Sequence, residues 1–252
     1  MRELLDAVAS GEVSPAEAEA RLAGYATTDA GRFDAAREQR RGVPEAVYAE
    51  GKTADEVVDM LLASLETTGR GIATRVSDEQ VATVRDALDD ARLDADVRWR
   101  DRAGVLILHA PDYEPPDVDA TVRVVTGGTV DRGPAGEARA IAAEMGATVE
   151  LVEDVGVAGI DRLLDRVDKL READVLVVAA GREGALPTVV AGLVDTPVIG
   201  LPTNSGYGHG GDGEAALLGM LQSCTVLSTV NVDAGFVAGA QAGLIARAID
   251  GH

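Results

Sequence analysis

The sequence predicts two domains, a small α+β domain followed by a doubly wound α/β domain with a parallel sheet. From residue 121 onward, short β-branched and apolar runs alternate with helical patterns of about 10–15 residues, which is typical of a parallel sheet covered on both faces. Residues 111–117 form a turn-rich segment, and the region before it lacks this alternation. With 252 residues and 46% hydrophobic content, the chain can bury two cores. We therefore predict domains at residues 1–112 and 118–252.

The first domain is predicted to contain three helices. Residues 1–24 have helical periodicity, and residues 14–17 and 53–56 carry the sequence of a capping box, in which side chains satisfy free backbone amides at a helix start. A third helix is predicted over residues 77–92. Short strands are predicted at residues 47–48, 96–100 and 105–108.

The second domain is predicted to alternate regularly between strands and helices. In a doubly wound sheet, ligands bind outside the carboxyl ends of the strands, so the loops after residues 126, 153, 180 and 201 are the expected place for chemistry. A β-branched run also occupies residues 225–232, and the small residues at 234–244 permit close helix packing. The predicted strands are residues 121–126, 148–152, 175–179 and 198–201, and the predicted helices are residues 134–145, 157–171, 184–193 and 214–222.

The charge of the chain argues against nucleic-acid binding. Its formal net charge is −20, which repels a phosphate backbone, and its 3% aromatic content leaves few residues on which bases could stack. The chain has 21 Arg but only two Lys, Lys52 and Lys169, which suggests an organism-wide bias such as adaptation to high salt. The overall charge is therefore weak evidence of function, whereas the scarce lysine and cysteine residues are informative.

The cysteine content and the N-terminal residues predict a soluble cytoplasmic protein. A single cysteine excludes an internal disulfide and any zinc site made only of cysteines from one chain. The N-terminal residues lack the basic and apolar regions of a secretory signal. No apolar run approaches the roughly 18 residues of a membrane span.

The first predicted loop of the second domain combines glycines with polar side chains. Gly127, Gly128 and Gly133 let the backbone approach a ligand closely, and the helix that follows favours a phosphate or a carboxylate at its start. These glycines do not have the spacing of the dinucleotide-binding fingerprint. The loop, which also carries Thr129 and Asp131, is therefore either an anion-binding turn or a purely structural one.

Two further loops leave a functional and a structural interpretation open. Glu183 lies between Gly181 and Gly184 directly after a predicted strand, where it is either a general acid or base or a charge favoured at a helix start. Residues 202–213 include five glycines, which indicates a mobile or ligand-wrapping loop. His209 in that loop is either a proton shuttle or an exposed loop residue.

The scarce residues Cys224 and Lys52 also have two interpretations each. Cys224 is either a small buried hydrophobe or a nucleophile, since a thiolate attacks electrophilic carbon. Gly51, Lys52 and Thr53 are similar to the end of a phosphate-binding P-loop, but Ala46 stands where that motif requires glycine. Lys52 is therefore either an anion ligand outside that motif or a solvated charge.

Five segments in order resemble one protein family across nearly the whole chain, namely residues 41–53, 154–160, 183–187, 202–208 and 223–236. On these segments the chain is identified as a member of the LarB family. The members of this family make pyridinium-3,5-biscarboxylic acid mononucleotide, at the start of nickel-pincer cofactor synthesis. The C-terminal half is similar to the PurE family of aminoimidazole ribonucleotide carboxylases and mutases, which implies a three-layer, flavodoxin-like second domain.

The resemblance implies a carboxylase and hydrolase that acts on nicotinic acid adenine dinucleotide. Such an enzyme would add carbon dioxide to C5 of the pyridinium ring and split the phosphoanhydride, which releases AMP. Cys224 matches the family's cysteine, whose thiolate would add at C6 and make C5 nucleophilic. Glu183 matches a position suited to removing the C5 proton, after which the thiolate would leave.

The resemblance also implies how the substrate is held. Gly127, Thr129 and Asp131 match a loop that binds ribose and phosphate, although Val130 stands where a serine is usual. Mg²⁺ is expected at the phosphoanhydride, with ligands that the sequence does not reveal, and no tightly bound organic cofactor is expected. The PurE relatives imply a homo-oligomer, an octamer by kinship. The other residues expected at the substrate are Arg41, Glu45, Glu50 and Lys52 in the N-terminal motif, and Asn204 and His209 in the last loop.

Two other functions stay open on the sequence alone. A PurE-type carboxylase or mutase of purine synthesis would carry a Ser-Ala-His-Arg segment after its second strand, but residues 154–159 of this chain contain no histidine. A non-catalytic nucleotide-binding module with the same fold would bind its ligand without turnover. Residues 225–228 also depart from the Ala-Pro-Gly-rich turn that is expected after the cysteine.

Overall fold

The chain folds into two compact units, Met1–Glu114 and Pro115–His252, which we call the N-terminal and C-terminal units. The structure is a computed structural model that describes residues 2–10, 18, 22 and 24–251. The capping box predicted at residues 14–17 lies outside the described residues. No helix in the described part of the chain is both long and apolar enough to span a bilayer.

The N-terminal unit is an α+β structure with a mixed four-stranded sheet in the order β3-β4-β6-β5 and a separate antiparallel hairpin of β1 and β2. In the sheet, β3 runs parallel to β4, and the other pairs are antiparallel. Among the described residues of this unit, the strands are β1 (Ala26–Thr28), β2 (Gly31–Phe33), β3 (Val47–Tyr48), β4 (Arg70–Thr74), β5 (Asp96–Arg100) and β6 (Val105–His109), and the helices are α1 (Arg2–Ser10), α2 (Arg37–Arg41), α3 (Ala54–Thr68) and α4 (Asp78–Ala91).

The capping box predicted at residues 53–56 starts α3. The Thr53 hydroxyl accepts a hydrogen bond from the Glu56 amide at 3.2 Å, and the Glu56 carboxylate accepts one from the Thr53 amide at 2.8 Å. Hydrogen bonds from the backbone and hydroxyl of Thr53 lower the pKa of Glu56. The helix start that the sequence predicts is therefore confirmed by the reciprocal bonds that define it.

The hairpin and strand β4 were not predicted from the sequence. All five residues of β4 are buried, and the strand follows α3 after one residue, Gly69, without the alternation of apolar and polar residues by which exposed strands are recognised. Each hairpin strand has only three residues, too few to show a period.

The C-terminal unit is a five-stranded sheet of parallel strands in the order β11-β10-β9-β7-β8, with helices on both faces. The predicted doubly wound fold is confirmed. The strands are β7 (Val118–Thr126), β8 (Ala147–Val152), β9 (Val175–Ala180), β10 (Val198–Pro202) and β11 (Ser228–Thr229), and the helices are α5 (Arg132–Glu144), α6 (Ile160–Leu164), α7 (Val167–Arg171), α8 (Ala185–Ala191), α9 (Glu214–Leu221) and α10 (Gly235–Asp250).

Alternate residues of each strand supply two cores, one on each face of the sheet. Val122 and Val124 point toward α5 and α10, whereas Val125 belongs to the core that includes Leu186 of α8 and Met220 of α9. The small residues of α10 allow close packing within the chain, since a Cβ on Gly239 would lie 2.4 Å from the carbonyl oxygen of Ala138 in α5.

Two predicted elements of this unit differ from the structure. The helix predicted over residues 157–171 is divided into a 3₁₀ turn at Val157–Gly159 followed by α6 and α7. The β-branched run at 225–232 forms only the two-residue β11. Shortly before β11, the hydroxyls of Ser223 and Thr225 form a hydrogen bond of 2.7 Å with each other. Such local side-chain hydrogen bonds compete with the backbone hydrogen bonds that join strands in a sheet.

Candidate functional site

The strand order of the C-terminal unit produces a crevice at the carboxyl ends of β7 and β9. These neighbouring strands are followed by α5 on one face of the sheet and α8 on the other, so the two connecting loops diverge. Such a topological switch point is where doubly wound sheets bind ligands. The amide of Gly127 donates to the carbonyl of Ala179 at 3.2 Å, which joins the two loops at the base of the crevice.

A buried carboxylate connects the loop after β7 to the loop after β10. Asp131 is 5% exposed. One of its oxygens accepts hydrogen bonds from the hydroxyls of Thr203 at 2.6 Å and Ser205 at 3.1 Å, and the other accepts one from the Gly128 amide at 2.9 Å. We call this group of four residues the Asp131 latch. Asp131, which was predicted to bind substrate, thus has three partners within the chain.

The loop after β9 fits against the Asp131 latch because residue 181 is glycine. A Cβ on Gly181 would lie 1.8 Å from the hydroxyl oxygen of Ser205 and 3.0 Å from that of Thr203. The Thr203 amide donates to the carbonyl of Ala180 at 3.0 Å, which continues the pairing of β9 with β10 beyond the strands. All three loops at the crevice are therefore held together.

Removing the Asp131 carboxylate is expected to destabilise the protein. An Asp131→Ala variant leaves the Gly128 amide without its acceptor, and of the hydroxyls of Thr203 and Ser205, which are 3.0 Å apart, only one can donate to the other; we expect the free energy of unfolding to fall by about 2 kcal/mol. Urea unfolding of the full chain measures the change. The control is Asp119→Ala, an exposed aspartate at the far end of β7, for which a change within about 0.5 kcal/mol is expected. Equal stability of the two variants would contradict a stabilising role for the Asp131 latch.

Glu183 lies exposed at the rim of the crevice, on a backbone that two glycines hold in place. Gly184 has a φ of 66°, and its Cβ would lie 2.5 Å from the carbonyl oxygen of Ala216. A Cβ on Gly219 would lie 2.2 Å from the carbonyl oxygen of Glu183 itself. The backbone of Glu183 thus packs directly on α9, while its carboxylate remains accessible.

The loop after β10 places both of its predicted site residues in exposed positions. The backbone amide of Asn204 donates a hydrogen bond of 3.1 Å to the Asp233 carboxylate, which fixes the start of the loop. His209 lies five residues later in the same loop. The loop ends at Gly213, where a Cβ would lie 2.4 Å from a side-chain methyl of Val232. Its two ends are thus anchored, and its middle is exposed.

Cys224 is a free, exposed thiol in the segment between α9 and β11. Its neighbour Thr225 donates a hydrogen bond of 3.5 Å to the carbonyl of Thr188 in α8. The structure brings Glu183 to the crevice with Gly127, Thr129 and the Asp131 latch, whereas Cys224 lies in the segment before β11, next to α8.

Two family models match the chain. One, described as the LarB/PurE-like N-terminal domain, matches residues 25–104, and the other, described as AIR carboxylase, matches residues 121–252. An uncharacterized protein of Methanocaldococcus jannaschii is 38% identical over 254 residues, which cover 98% of this chain and 97% of that protein. The chain belongs to the LarB family. Its AIR carboxylase domain indicates a carboxylase-type enzyme.

Solved structures of PurE proteins are similar to about half of this LarB-family chain. PurE of Treponema denticola is 18% identical, with a TM-score of 0.40, and the match covers 51% of this chain and 78% of that one. A PurE2 variant from the same organism is 19% identical with a TM-score of 0.38, and the match covers 50% of this chain and 76% of that one.

The N-terminal motif of the LarB family presents charged residues around β3. Arg41 ends α2 and is exposed, and Glu45 forms an ion pair with Arg37 at 2.6 Å. Glu50, also exposed, accepts a hydrogen bond from the hydroxyl of Tyr48. Glu45 and Glu50 thus have partners inside the N-terminal unit.

Lys52 lies on the turn that connects β3 to α3. Gly51 has a φ of 80°, a left-handed conformation that glycine adopts without strain, and the Lys52 carbonyl accepts a hydrogen bond of 2.9 Å from the Gln80 side chain. Within the described residues, neither Lys52 nor Arg41 forms an ion pair at 4 Å or less. Both cations are therefore available to an anion.

The described residues do not form a resident metal site. Among residues 2–10, 18, 22 and 24–251, no group of three or more His, Cys, Asp or Glu side chains could hold a metal ion. Asp131, the buried carboxylate at the crevice, already accepts three hydrogen bonds. The side chains of the described residues thus do not form an all-protein Mg²⁺ cage, and Mg²⁺ at the phosphoanhydride stays a prediction.

Four residues that shape this site were not predicted from the sequence. Thr203 and Ser205 continue the inward alternation of Ile199 and Leu201 beyond β10, and this period was the signal that could have identified them. Arg182 and Tyr207 also form a stacked pair at the crevice, with 3.9 Å between the guanidinium carbon and the ring centroid. No spacing in the sequence indicates that this arginine and this tyrosine meet.

Proposed function

We propose that this LarB-family protein carboxylates nicotinic acid adenine dinucleotide at C5 of its pyridinium ring and hydrolyses its phosphoanhydride. The products would be pyridinium-3,5-biscarboxylic acid mononucleotide and AMP, the first step of nickel-pincer cofactor synthesis. One observation carries the proposal: a LarB-type N-terminal domain precedes an AIR carboxylase domain in which the side chains of Cys224 and Glu183 are both exposed.

The thiol of Cys224 supplies the nucleophile in this proposal. A pyridinium ring is electron-poor and does not attack carbon dioxide. When the thiolate adds at C6, a carbon–sulfur bond forms and an electron pair of the ring moves to the ring nitrogen. The neutral dihydropyridine is a dienamine, so its C5 can form a bond to carbon dioxide while the nitrogen becomes an iminium. The exposure of Cys224 supports this role.

Glu183 completes the reaction as the base. Its carboxylate takes the proton from C5, and the electron pair of that carbon–hydrogen bond returns to the ring. The carbon–sulfur bond then breaks, the thiolate leaves, and the aromatic pyridinium is restored with its second carboxylate. The Glu183 side chain is exposed at the rim of the crevice, and its backbone is held by close packing at Gly184 and Gly219. Both features support this role for Glu183.

We propose that two copies of the chain complete one active site. Cys224 lies in the segment before β11, and Glu183 lies in the loop after β9, so the two residues come from separate segments of the chain. Both must act on neighbouring carbons of one pyridinium ring. A homo-oligomer in which the Cys224 segment of one copy faces the crevice of another meets this requirement.

The substrate's negative charges require local cations and amides, because the chain as a whole carries a net charge of −20. We propose that Gly127 and Thr129 contact ribose and phosphate, with Asn204 and His209 on the opposite loop. Arg41 and Lys52 would bind the phosphates. Mg²⁺ would enter with the phosphates of the substrate, as is common for this ion.

Product analysis by mass spectrometry tests the proposed function. The full-length protein is incubated at high salt with nicotinic acid adenine dinucleotide, bicarbonate and Mg²⁺, and we expect AMP and the dicarboxylated mononucleotide to form together. A parallel reaction with aminoimidazole ribonucleotide and bicarbonate should yield no carboxylated product. Binding of the dinucleotide without turnover would instead support a non-catalytic module, and rapid carboxylation of the imidazole would support a PurE-type enzyme.

A further inference from the structure

Tyr207 is an exposed aromatic residue at the crevice, and it has no role in the steps of the proposed reaction. The sequence has only four tyrosines, two phenylalanines and one tryptophan, and Tyr207, at 77% exposure, is the most exposed of these side chains. Gly206 and Gly208 flank it, and Gly208 has a φ of 82° with open space around the position of a Cβ. The Tyr207 ring therefore contributes little to either core of the unit.

Arg182 covers one face of this ring. It directly follows Gly181 in the loop after β9 and has a φ of 52°, a left-handed conformation that costs a non-glycine residue about 1 kcal/mol. Its guanidinium carbon lies 3.9 Å from the centroid of the Tyr207 ring, within the distance of a cation–π contact. Hydrogen bonding from Arg182 and its positive charge lower the pKa of Tyr207.

Hydrogen bonds at the start of the loop also restrict the position of the ring. Ser205, two residues before Tyr207, donates to Asp131, and the Asn204 amide donates to Asp233. A loop held at its start and stacked on one side presents the remaining face of the phenol ring in an ordered orientation. Glu183, the proposed base, immediately follows Arg182 in the chain. The exposed ring therefore lies beside the loop that carries the proposed base.

We propose that the free face of Tyr207 stacks against a planar heteroaromatic ring of the substrate and that Arg182 positions Tyr207 for this contact. The inference rests on the proposed function, which supplies a dinucleotide with two such rings, adenine and pyridinium. Stacking of a base on an aromatic side chain tolerates either ring, because each has an exposed π face.

Calorimetric titration of the full-length protein tests this inference without turnover. Bicarbonate is left out, and the three probes are nicotinic acid adenine dinucleotide, AMP and nicotinic acid mononucleotide. Tyr207→Ala is expected to bind the dinucleotide about tenfold more weakly, whereas Tyr207→Phe, which keeps the ring, should stay within about twofold of wild type. Weaker binding of AMP alone would identify adenine as the stacked ring, and weaker binding of the mononucleotide alone would identify the pyridinium.

The chain offers a matched control in its N-terminal unit. The guanidinium carbon of Arg40 lies 5.7 Å from the ring centroid of Tyr25, so Tyr25→Ala also removes a tyrosine next to an arginine, and it should leave all three affinities unchanged. Unchanged affinities in Tyr207→Ala would overturn the stacking inference alone. A wild-type protein that binds none of the probes would overturn the proposed function together with the inference.

Discussion

A Cys224→Ala variant is expected to form no dicarboxylated mononucleotide. Without the thiolate, no covalent adduct can form at C6, and C5 of a pyridinium does not attack carbon dioxide. We expect the rate of carboxylation to fall by on the order of 10³-fold or more, as is usual when a covalent nucleophile is removed. Mass spectrometry of the dicarboxylated product measures carboxylation, and quantification of AMP in the same sample measures hydrolysis of the phosphoanhydride.

The control for this loss is the neighbouring Ser223→Ala variant. Ser223 is bonded to Thr225 on the same segment, so its substitution perturbs the backbone around the thiol without removing the sulfur. We expect it to retain carboxylation within a few-fold of wild type. Near-normal carboxylation by Cys224→Ala would refute the covalent mechanism.

Mixing two inactive variants tests whether Cys224 and Glu183 act from different copies. Cys224→Ala retains the base and Glu183→Gln retains the thiol, so a mixed oligomer contains some sites with both groups if each site takes them from two chains. Recovery of carboxylation after the subunits have been exchanged is the expected result. If the mixture stays inactive after exchange has been verified, the two-copy site is wrong.

Gly219→Ala is expected to reduce turnover by about 10²-fold while the protein stays folded. The added methyl group would lie 2.2 Å from the carbonyl oxygen of Glu183, so the loop after β9 and α9 must separate by roughly 1 Å. That displacement moves the proposed base away from the ring carbon that it serves. Steady-state rates of product formation, compared with circular dichroism spectra of the same samples, separate lost activity from lost structure.

Helix propensity alone predicts the opposite outcome for this substitution. Alanine in a helix is favoured over glycine by about 0.5–1 kcal/mol, so a more stable and fully active Gly219→Ala variant would show that the contact with Glu183 has no consequence. The matched control is Gly192→Ala at the end of α8. A Cβ there would have its nearest neighbour at 3.5 Å, an ordinary contact, and activity should be unchanged.

The sequence predicted the C-terminal unit well because parallel strands buried on both faces appear as continuous apolar runs. The run before residue 180 is an example, since every residue of β9 is buried. Buried strand β4 was missed because it follows α3 so closely that its five residues lack boundaries of their own. The run at residues 225–232 had the composition of a strand, but local hydroxyl bonds and the edge of the sheet leave only Ser228–Thr229 paired.

The candidate site could be predicted from the sequence only in part, because its key contacts join distant segments. The spacing of glycines indicated loops at the carboxyl ends of the strands, and the structure has loops there. The meeting of Asp131 with Ser205 depends on strand order, which no local pattern encodes. The same holds for Arg182 and Tyr207, which are 25 positions apart in the sequence and stack across two loops.

The fit of Gly181 against Ser205 has a consequence for how this family can vary. A side chain at position 181 would occupy the space of the Ser205 hydroxyl, so a residue larger than glycine at 181 requires a smaller residue at 205. We expect relatives with alanine or a larger residue at 181 to carry glycine or alanine at 205, and to have lost one hydrogen bond to Asp131. Change at position 181 should therefore follow a change at 205, and a substitution of Gly181 alone should be rare among functional sequences.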